Sequence, residues 1–295
     1  VQQAIDASLL AALAAPFTAR WAARRLPPNR AAAVLLVSAL SSAAGWVWAV
    51  GLAVLLMVGR STELAELGHW SVVVLRHHDP VPLSVSVLAL VAVAAGVAGV
   101  AAAGHAAYRS IAASRKVASL PHVDRLTVLT GGPPTAATLP GVPGRIVVSS
   151  TLLQSLTSAE VRVVLAHERC HLRTGHWFFR FAARMAAGAA PFTRPLAREL
   201  DLALERWADE SAARTVGDRR LVARAVAHAA LISKTPTQLG VSGGRVSARV
   251  SALLAAPPRS TWLPAAAPLL LVAVALVLGY HAGREVDGLF DFARR

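Results

Sequence analysis

Residues 163–177 read VVLAHERCHLRTGHW, placing His167 and His171 four residues apart with Glu168 directly after the first. On an α-helix, positions i and i+4 share a face, so both imidazoles can aim a nitrogen at one ion about 2.0–2.1 Å away. Glu168 is rotated about 100° from His167 around the helix axis, which sets it beside such an ion instead of among its ligands. From there its carboxylate can take a proton from water whose pKa zinc lowers to about 7. These residue types at this spacing point to a hydrolytic Zn2+ centre. The bland alternative is a histidine pair satisfied by carboxylates inside an apolar helix.

A catalytic zinc takes three protein ligands and leaves a position open. Downstream, LALERWADESAA sets Glu205 and Asp209 at i and i+4. Glu205 is the expected third ligand, and Asp209 an acceptor that fixes the tautomer of a ligand histidine. An acid pair of this spacing is by itself usually a solvated helix face; its weight here comes from the histidine pair upstream. Asp201, one turn earlier, and His176 are rival third ligands. Tyr108 and Tyr280 flank apolar stretches, which leaves His228, His176 or an arginine to stabilise an oxyanion.

The elements that must position these groups lie in an unusually apolar chain. Of its 295 residues 55% are hydrophobic, and the mean hydropathy is +0.52, well above that of a water-soluble globule. No Asp, Glu, Lys or Arg occurs from Ala31 to Gly59, from Val81 to Tyr108 or from Thr261 to His281. Each stretch exceeds the roughly 20 apolar residues a helix needs to cross a bilayer. A further segment, Ala7 to Ala19, is short and requires Arg20 to snorkel toward the headgroups. The expected fold is an α-helical integral membrane protein of about four spans, with an inserted α+β domain. Residues 1–107 hold three spans (about 7–24, 31–58 and 81–107), 108–261 form the zinc domain, 262–281 the fourth span and 282–295 a short extracytoplasmic tail.

The net charge of +14 raises the question of nucleic acid, and the distribution of the charge answers it. With the Arg20 to Arg30 cluster in the cytoplasm, only Arg60, Arg76, Arg284, Arg294 and Arg295 of the 30 Lys and Arg fall outside, as the positive-inside bias requires. No basic-aromatic reader motif accompanies the charge, so direct nucleic-acid binding is not expected; attraction to the anionic inner leaflet of the lipid bilayer is. The expected location is the cell membrane, with the zinc domain cytoplasmic. The single cysteine, Cys170, rules out an internal disulfide framework, suits a reducing compartment and reads as a small buried hydrophobe.

Within 108–261, Val123–Thr130 and Arg145–Ser150 are β-like runs joined by a Gly/Pro-rich loop, suggesting a small antiparallel unit. RIVVSS is a candidate edge strand for a substrate to extend. Thr157 and Glu160 offer a capping box for a helix from about Ser158 to Thr174, stopping at Gly175. Three further helices are expected, from about Trp177, from Pro195 to Val216 and from Asp218 to Ser233, followed by a loop from Thr235 to Gly244.

AHERCHLR paired with LERWADESAA, after PGVPGRIVVSSTLL and between apolar spans, resembles the integral-membrane zinc metallopeptidases of the BlaR/MecR type. The resemblance spans nearly the whole chain. It implies a cytoplasmic gluzincin-like protease domain in which His167, His171 and Glu205 hold zinc and Glu168 is the base. Two departures stand out. Those receptors carry a large penicillin-binding sensor domain after the last span, where this sequence has AGREVDGLFDFARR, so antibiotic sensing has no basis here. His176 stands where they have an acidic residue.

The leading expectation is a membrane-embedded zinc endopeptidase that cleaves a cytoplasmic protein, such as a BlaI/MecI-like transcriptional repressor, in signal transduction. An HtpX-like protease for membrane-protein quality control is the alternative within enzymes. A catalytically silent zinc-binding membrane sensor or scaffold is the alternative outside them, and the intact Glu168 speaks against it.

Overall fold

The computed structural model describes residues 2–78, 81–118, 120–141, 144–232, 239–257 and 262–294. The fold is mostly helical: α1 (Gln2–Ala23), α2 (Pro28–Gly59), α3 (Thr62–Gly68), α4 (Val72–His78) and α5 (Leu83–Ala118) precede a three-stranded sheet. The sheet comprises β1 (Leu126–Leu129), β2 (Ala136–Leu139) and β3 (Arg145–Ser149). After it come α6 (Ser150–Ser155), α7 (Ser158–Thr174), α8 (His176–Ala189), α9 (Arg194–Val216), α10 (Arg219–Ile232), α11 (Leu239–Leu254) and α12 (Ala266–Ala293).

Among the described residues three helices are long and apolar enough to cross a membrane, over Pro28–Gly59, Leu83–Val117 and Leu263–Ala293. The apolar part of α1, Leu9–Ala23, is shorter. Arg20, expected to reach for headgroups, instead approaches Glu199 of α9 at 3.4 Å. The segment expected as a tail after residue 281 is instead the continuation of α12, packed against the end of α2 and against α4. Ala282, Val286 and Phe290 are buried in one cluster with Leu56 and Leu75, and the Trp70 ring meets Phe290 edge-on at 5.3 Å.

Apolar spans gain nothing from leaving lipid for one another, so close packing must hold them. Small residues provide it. Ala31, Ala32, Ala39 and Ala43 of α2 share one buried core with Ala183 and Ala186 of α8 and Leu196, Leu200 and Leu204 of α9. The site-bearing helices are thus built onto the apolar helices through a continuous core. The tightest crossing is between α5 and α8: a Cβ on Gly99 would lie 2.4 Å from the Gly188 carbonyl oxygen, and one on Gly188 would lie 2.7 Å from the Gly99 backbone. Gly188→Val is therefore expected to push the helices apart and cost roughly 1–3 kcal/mol, read as a lower thermal midpoint in detergent.

The sheet departs from the expected hairpin. Its order is β1-β3-β2, with β1 parallel and β2 antiparallel to β3. Asp124 and Arg125 both take positive φ, 48° and 65°, in a tight turn at the start of the first β-like run, so β1 starts only at Leu126. The Gly/Pro-rich connection supplies β2 from AATL, letting the chain cross over and run back along the far side of β3. β3 consequently sits in the middle with both edges paired, and a substrate strand cannot add beside Arg145–Ser149. The outer edge of β2 pairs with no strand among the described residues.

The helices of this region follow the local chemistry. The Thr157–Glu160 capping box forms, with the Glu160 carboxylate accepting from Thr157 N at 2.9 Å, and Gly175 closes α7 at φ 65°. A difference lies further on, where residues 239–244 are helical, opening α11, instead of a loop; Thr235–Gln238 fall outside the described residues.

Candidate metal centre

Helix α7 presents both histidines to one point. His167 Nε2 and His171 Nε2 are 3.0 Å apart. From α9, Glu205 brings Oε2 to 3.5 Å from His167 Nε2 and Oε1 to 3.5 Å from His171 Nε2. Among the described residues these three form the one group of His, Cys, Asp and Glu arranged to hold a metal ion. Ligands at about 2.0–2.1 Å in a tetrahedron stand about 3.3–3.4 Å from each other; the two imidazole nitrogens and the two carboxylate oxygens approach that spacing, and one donor atom from each residue lies within 4.8 Å of the others. Two imidazoles and a carboxylate also match the donor set of a hydrolytic zinc.

Each of the two histidines has a supporting partner. Asp209, one turn beyond Glu205, accepts from His167 Nδ1 at 3.0 Å and turns its Nε2 to the centre. His176 Nδ1 lies 2.6 Å from His171 Nδ1; for His171 Nε2 to act as a ligand, its Nδ1 must donate to that nitrogen. His176 is fully buried, 4.8 Å from the Trp207 ring, so it supports a ligand from behind. Asp201 is drawn away to Arg180 Nε at 3.3 Å. Neither of these rival third ligands joins the group of three.

Two arginines complete the electrostatics. Arg249 of α11 grips Asp209 with two hydrogen bonds, 2.8 Å and 2.7 Å, and reaches Glu205 Oε2 at 3.1 Å. Arg180 of α8 holds Glu205 Oε1 at 2.5 Å. Burial tends to raise the Asp209 pKa, but the hydrogen bonds from Arg249 and His167 outweigh it and hold this carboxylate below its usual range. Glu205 is likewise raised by burial and, on balance, lowered well below its usual range by His167 and Arg249. Burial is also the largest influence on His167 and disfavours its charge; Asp209 and Glu205 together reverse it and lift the pKa to about 10. Burial and then the His167 charge push His171 down. In the metal-free protein the pair therefore carries one positive charge, on His167.

Glu168 stands beside this group. Its Oε2 accepts a 2.7 Å hydrogen bond from Thr138 Oγ1 of β2, a hydroxyl that also lies 3.0 Å from the Glu168 carbonyl oxygen. Both residues line a cleft of about 400 Å³ together with His167, His171, Glu205, Ala136 and Ala137. The Thr138 hydroxyl orients the carboxylate over the cleft. Thr138→Ala is expected to keep the fold and to lower hydrolytic turnover at this centre by roughly 10- to 100-fold, the cost of one hydrogen bond to a charged group, in a steady-state assay.

Of the groups considered for an oxyanion, His228 is held at the start of α7 by Glu160 Oε1, at 2.9 Å, and His176 is buried behind His171. Arg180 and Arg249 do line the cleft.

Residues 109–189 match the family model of peptidase family M48. The similarity is to a metallopeptidase family. It takes in the sheet, both histidines and Glu168 and ends before Glu205; nothing in it singles out the BlaR/MecR type. No curated protein and no solved structure matches the chain.

Proposed function

We propose that this chain is a zinc-dependent endopeptidase built into the cell membrane, hydrolysing peptide bonds of protein chains that reach its cytoplasmic side. The observation that carries this reading is the mutual spacing of His167 Nε2, His171 Nε2 and the Glu205 carboxylate, 3.0 Å to 3.5 Å, with Glu168 facing the same cleft. A zinc ion bound by those three would supply Lewis acidity toward a peptide carbonyl and toward water.

The protein's own groups do the rest. Asp209 and His176 keep the two imidazoles in the tautomer that leaves Nε2 available. Glu168, aligned by Thr138, takes a proton from the attacking water and returns it to the departing amine. An extended peptide can pair with the free edge of β2, which borders the cleft through Ala136, Ala137 and Thr138, and so lie beside Glu168.

A BlaI/MecI-like transcriptional repressor is the substrate under the signalling reading. The core shared by α2, α8 and α9 favours a second one, in which damaged membrane proteins are cut close to the bilayer. Mapping new peptide termini in cells that carry the wild type or Glu168→Gln separates them. Fragments of one soluble DNA-binding protein, lost in Glu168→Gln, support repressor cleavage; fragments of many membrane proteins support quality control. Identical termini in both strains would overturn the endopeptidase reading.

A further inference from the structure

Next to the metal-binding group a second cavity, of about 430 Å³, opens between α8, α9 and α11. Its charged wall is formed by Arg180, Arg184, Arg245 and Arg249 against two carboxylates, Asp201 and Glu205. Three of these residues, Arg180, Glu205 and Arg249, also line the catalytic cleft, so the two cavities adjoin. Both carboxylates are already engaged: Asp201 and Glu205 by Arg180, and Glu205 again by Arg249 at 3.1 Å. Arg184 and Arg245 make no hydrogen bond or ion pair among the described residues, and both are exposed. Solvated arginines are ordinary on a basic protein. Here two converge from different helices on one cavity whose internal acids are spent, leaving it positive beside the reacting bond. Leu202 and Val246 add an aliphatic wall suited to the methylenes of an acidic side chain.

We propose that this cavity is a specificity subsite that selects peptides carrying a carboxylate, an aspartate or glutamate side chain, close to the scissile bond. The proposal rests on the endopeptidase reading above. A guanidinium presents a planar fork of donors that matches a carboxylate, and Arg184 and Arg245 supply two such forks with no internal acid to compete. The chain-terminal carboxylate of a peptide has the same chemistry, and the test separates the two sources.

The full-length, zinc-loaded protein in nanodiscs is given matched peptides with Glu, Gln or Lys at each position around the cut. Each is made with a free or an amidated C-terminus. At one position the Glu peptide is expected to exceed its Gln twin in kcat/KM by about 10- to 100-fold, the range of a charge-assisted contact. The preference should shrink as salt is raised, because the arginines lie at the solvent. Binding to Glu168→Gln, followed by fluorescence anisotropy, should show the same order without turnover. Combining Arg184→Glu with Arg245→Glu should abolish the Glu preference and favour Lys. A preference that depends on the free C-terminus and not on internal Glu supports the same subsite with the chain end as its ligand. Equal kcat/KM and equal binding for Glu and Gln at every position, in a protein that cleaves both, overturns the subsite and leaves the endopeptidase reading standing. If the zinc-loaded wild type cleaves none of the peptides, or Glu168→Gln cleaves them as well, the endopeptidase reading falls and this proposal with it.

Discussion

Glu168→Gln should bind zinc at the wild-type stoichiometry while kcat for peptide hydrolysis falls by roughly 10²-fold or more. The two halves of that result follow from one geometry. Glu168 shares α7 with His167 and His171 but is turned to a neighbouring face, where its Oε2 meets the Thr138 hydroxyl at 2.7 Å and stays outside the group that His167, His171 and Glu205 form. Replacing one carboxylate oxygen by an amide nitrogen keeps the shape and one acceptor for Thr138. It removes the negative charge and, with it, the ability to hold a proton between water and the leaving amine. A steady-state assay on one peptide with metal analysis of the same sample reads both quantities. Lost zinc would place Glu168 among the ligands, and unchanged kcat would remove it as the base.

The parts of the site that the sequence disclosed are those whose chemistry is local. His167, Glu168 and His171 lie within one and a half turns of a helix whose start, the Thr157–Glu160 box, and stop, Gly175, are also written locally. Glu205 and Asp209 repeat the i, i+4 geometry on α9, so their pairing could be anticipated without knowing how α9 meets α7. The rest depends on tertiary placement. Two carboxylates on one buried face require cations, but nothing in the sequence says which of 30 Lys and Arg provide them; Arg180 and Arg249 come from α8 and α11. Thr138 was hidden because β2 is four residues of AATL inside a Gly/Pro-rich connection, and a strand that short lacks a readable period. With β2 unreadable, Arg145–Ser149 reads as an edge, although β2 pairs along it. His176 showed its type and position, but only the fold tells that it backs His171 instead of facing the cleft. For the spans, hydropathy identified the three long helices, while the buried Ala- and Gly-lined crossings that join α2 and α5 to α8 and α9 reflect shape, which composition does not encode.

His167→Ala is expected to abolish stoichiometric zinc binding, and Glu205→Gln to weaken it by a larger factor than Asp201→Asn, as measured by metal analysis after dialysis against a weak chelator. His167 contributes one of two imidazoles, and a site left with a single imidazole and one carboxylate lacks the three protein ligands that a hydrolytic zinc needs. Glu205→Gln keeps the volume but only one acceptor oxygen, for Arg180 or Arg249 and not both, so its loss of zinc is read beside an unchanged circular dichroism spectrum; Asp201, bound to Arg180 at 3.3 Å, serves as the control. Acidity adds a second signature in the wild type. His167, lifted to about 10 by Asp209 and Glu205 against the cost of burial, keeps its proton in the metal-free protein throughout the neutral range, and zinc must expel that proton to use Nε2. Protonation therefore favours the metal-free state below that pKa, and raising the pH favours the metal-bound one. Between about pH 6 and 8 the apparent zinc affinity should rise roughly tenfold per unit, with one proton released per ion. A titration in buffers of different ionisation enthalpy counts that proton directly. An affinity that stays flat over this window would mean that His167 is already neutral when the ion arrives, and that the Asp209–His167 contact does not hold a proton against the metal.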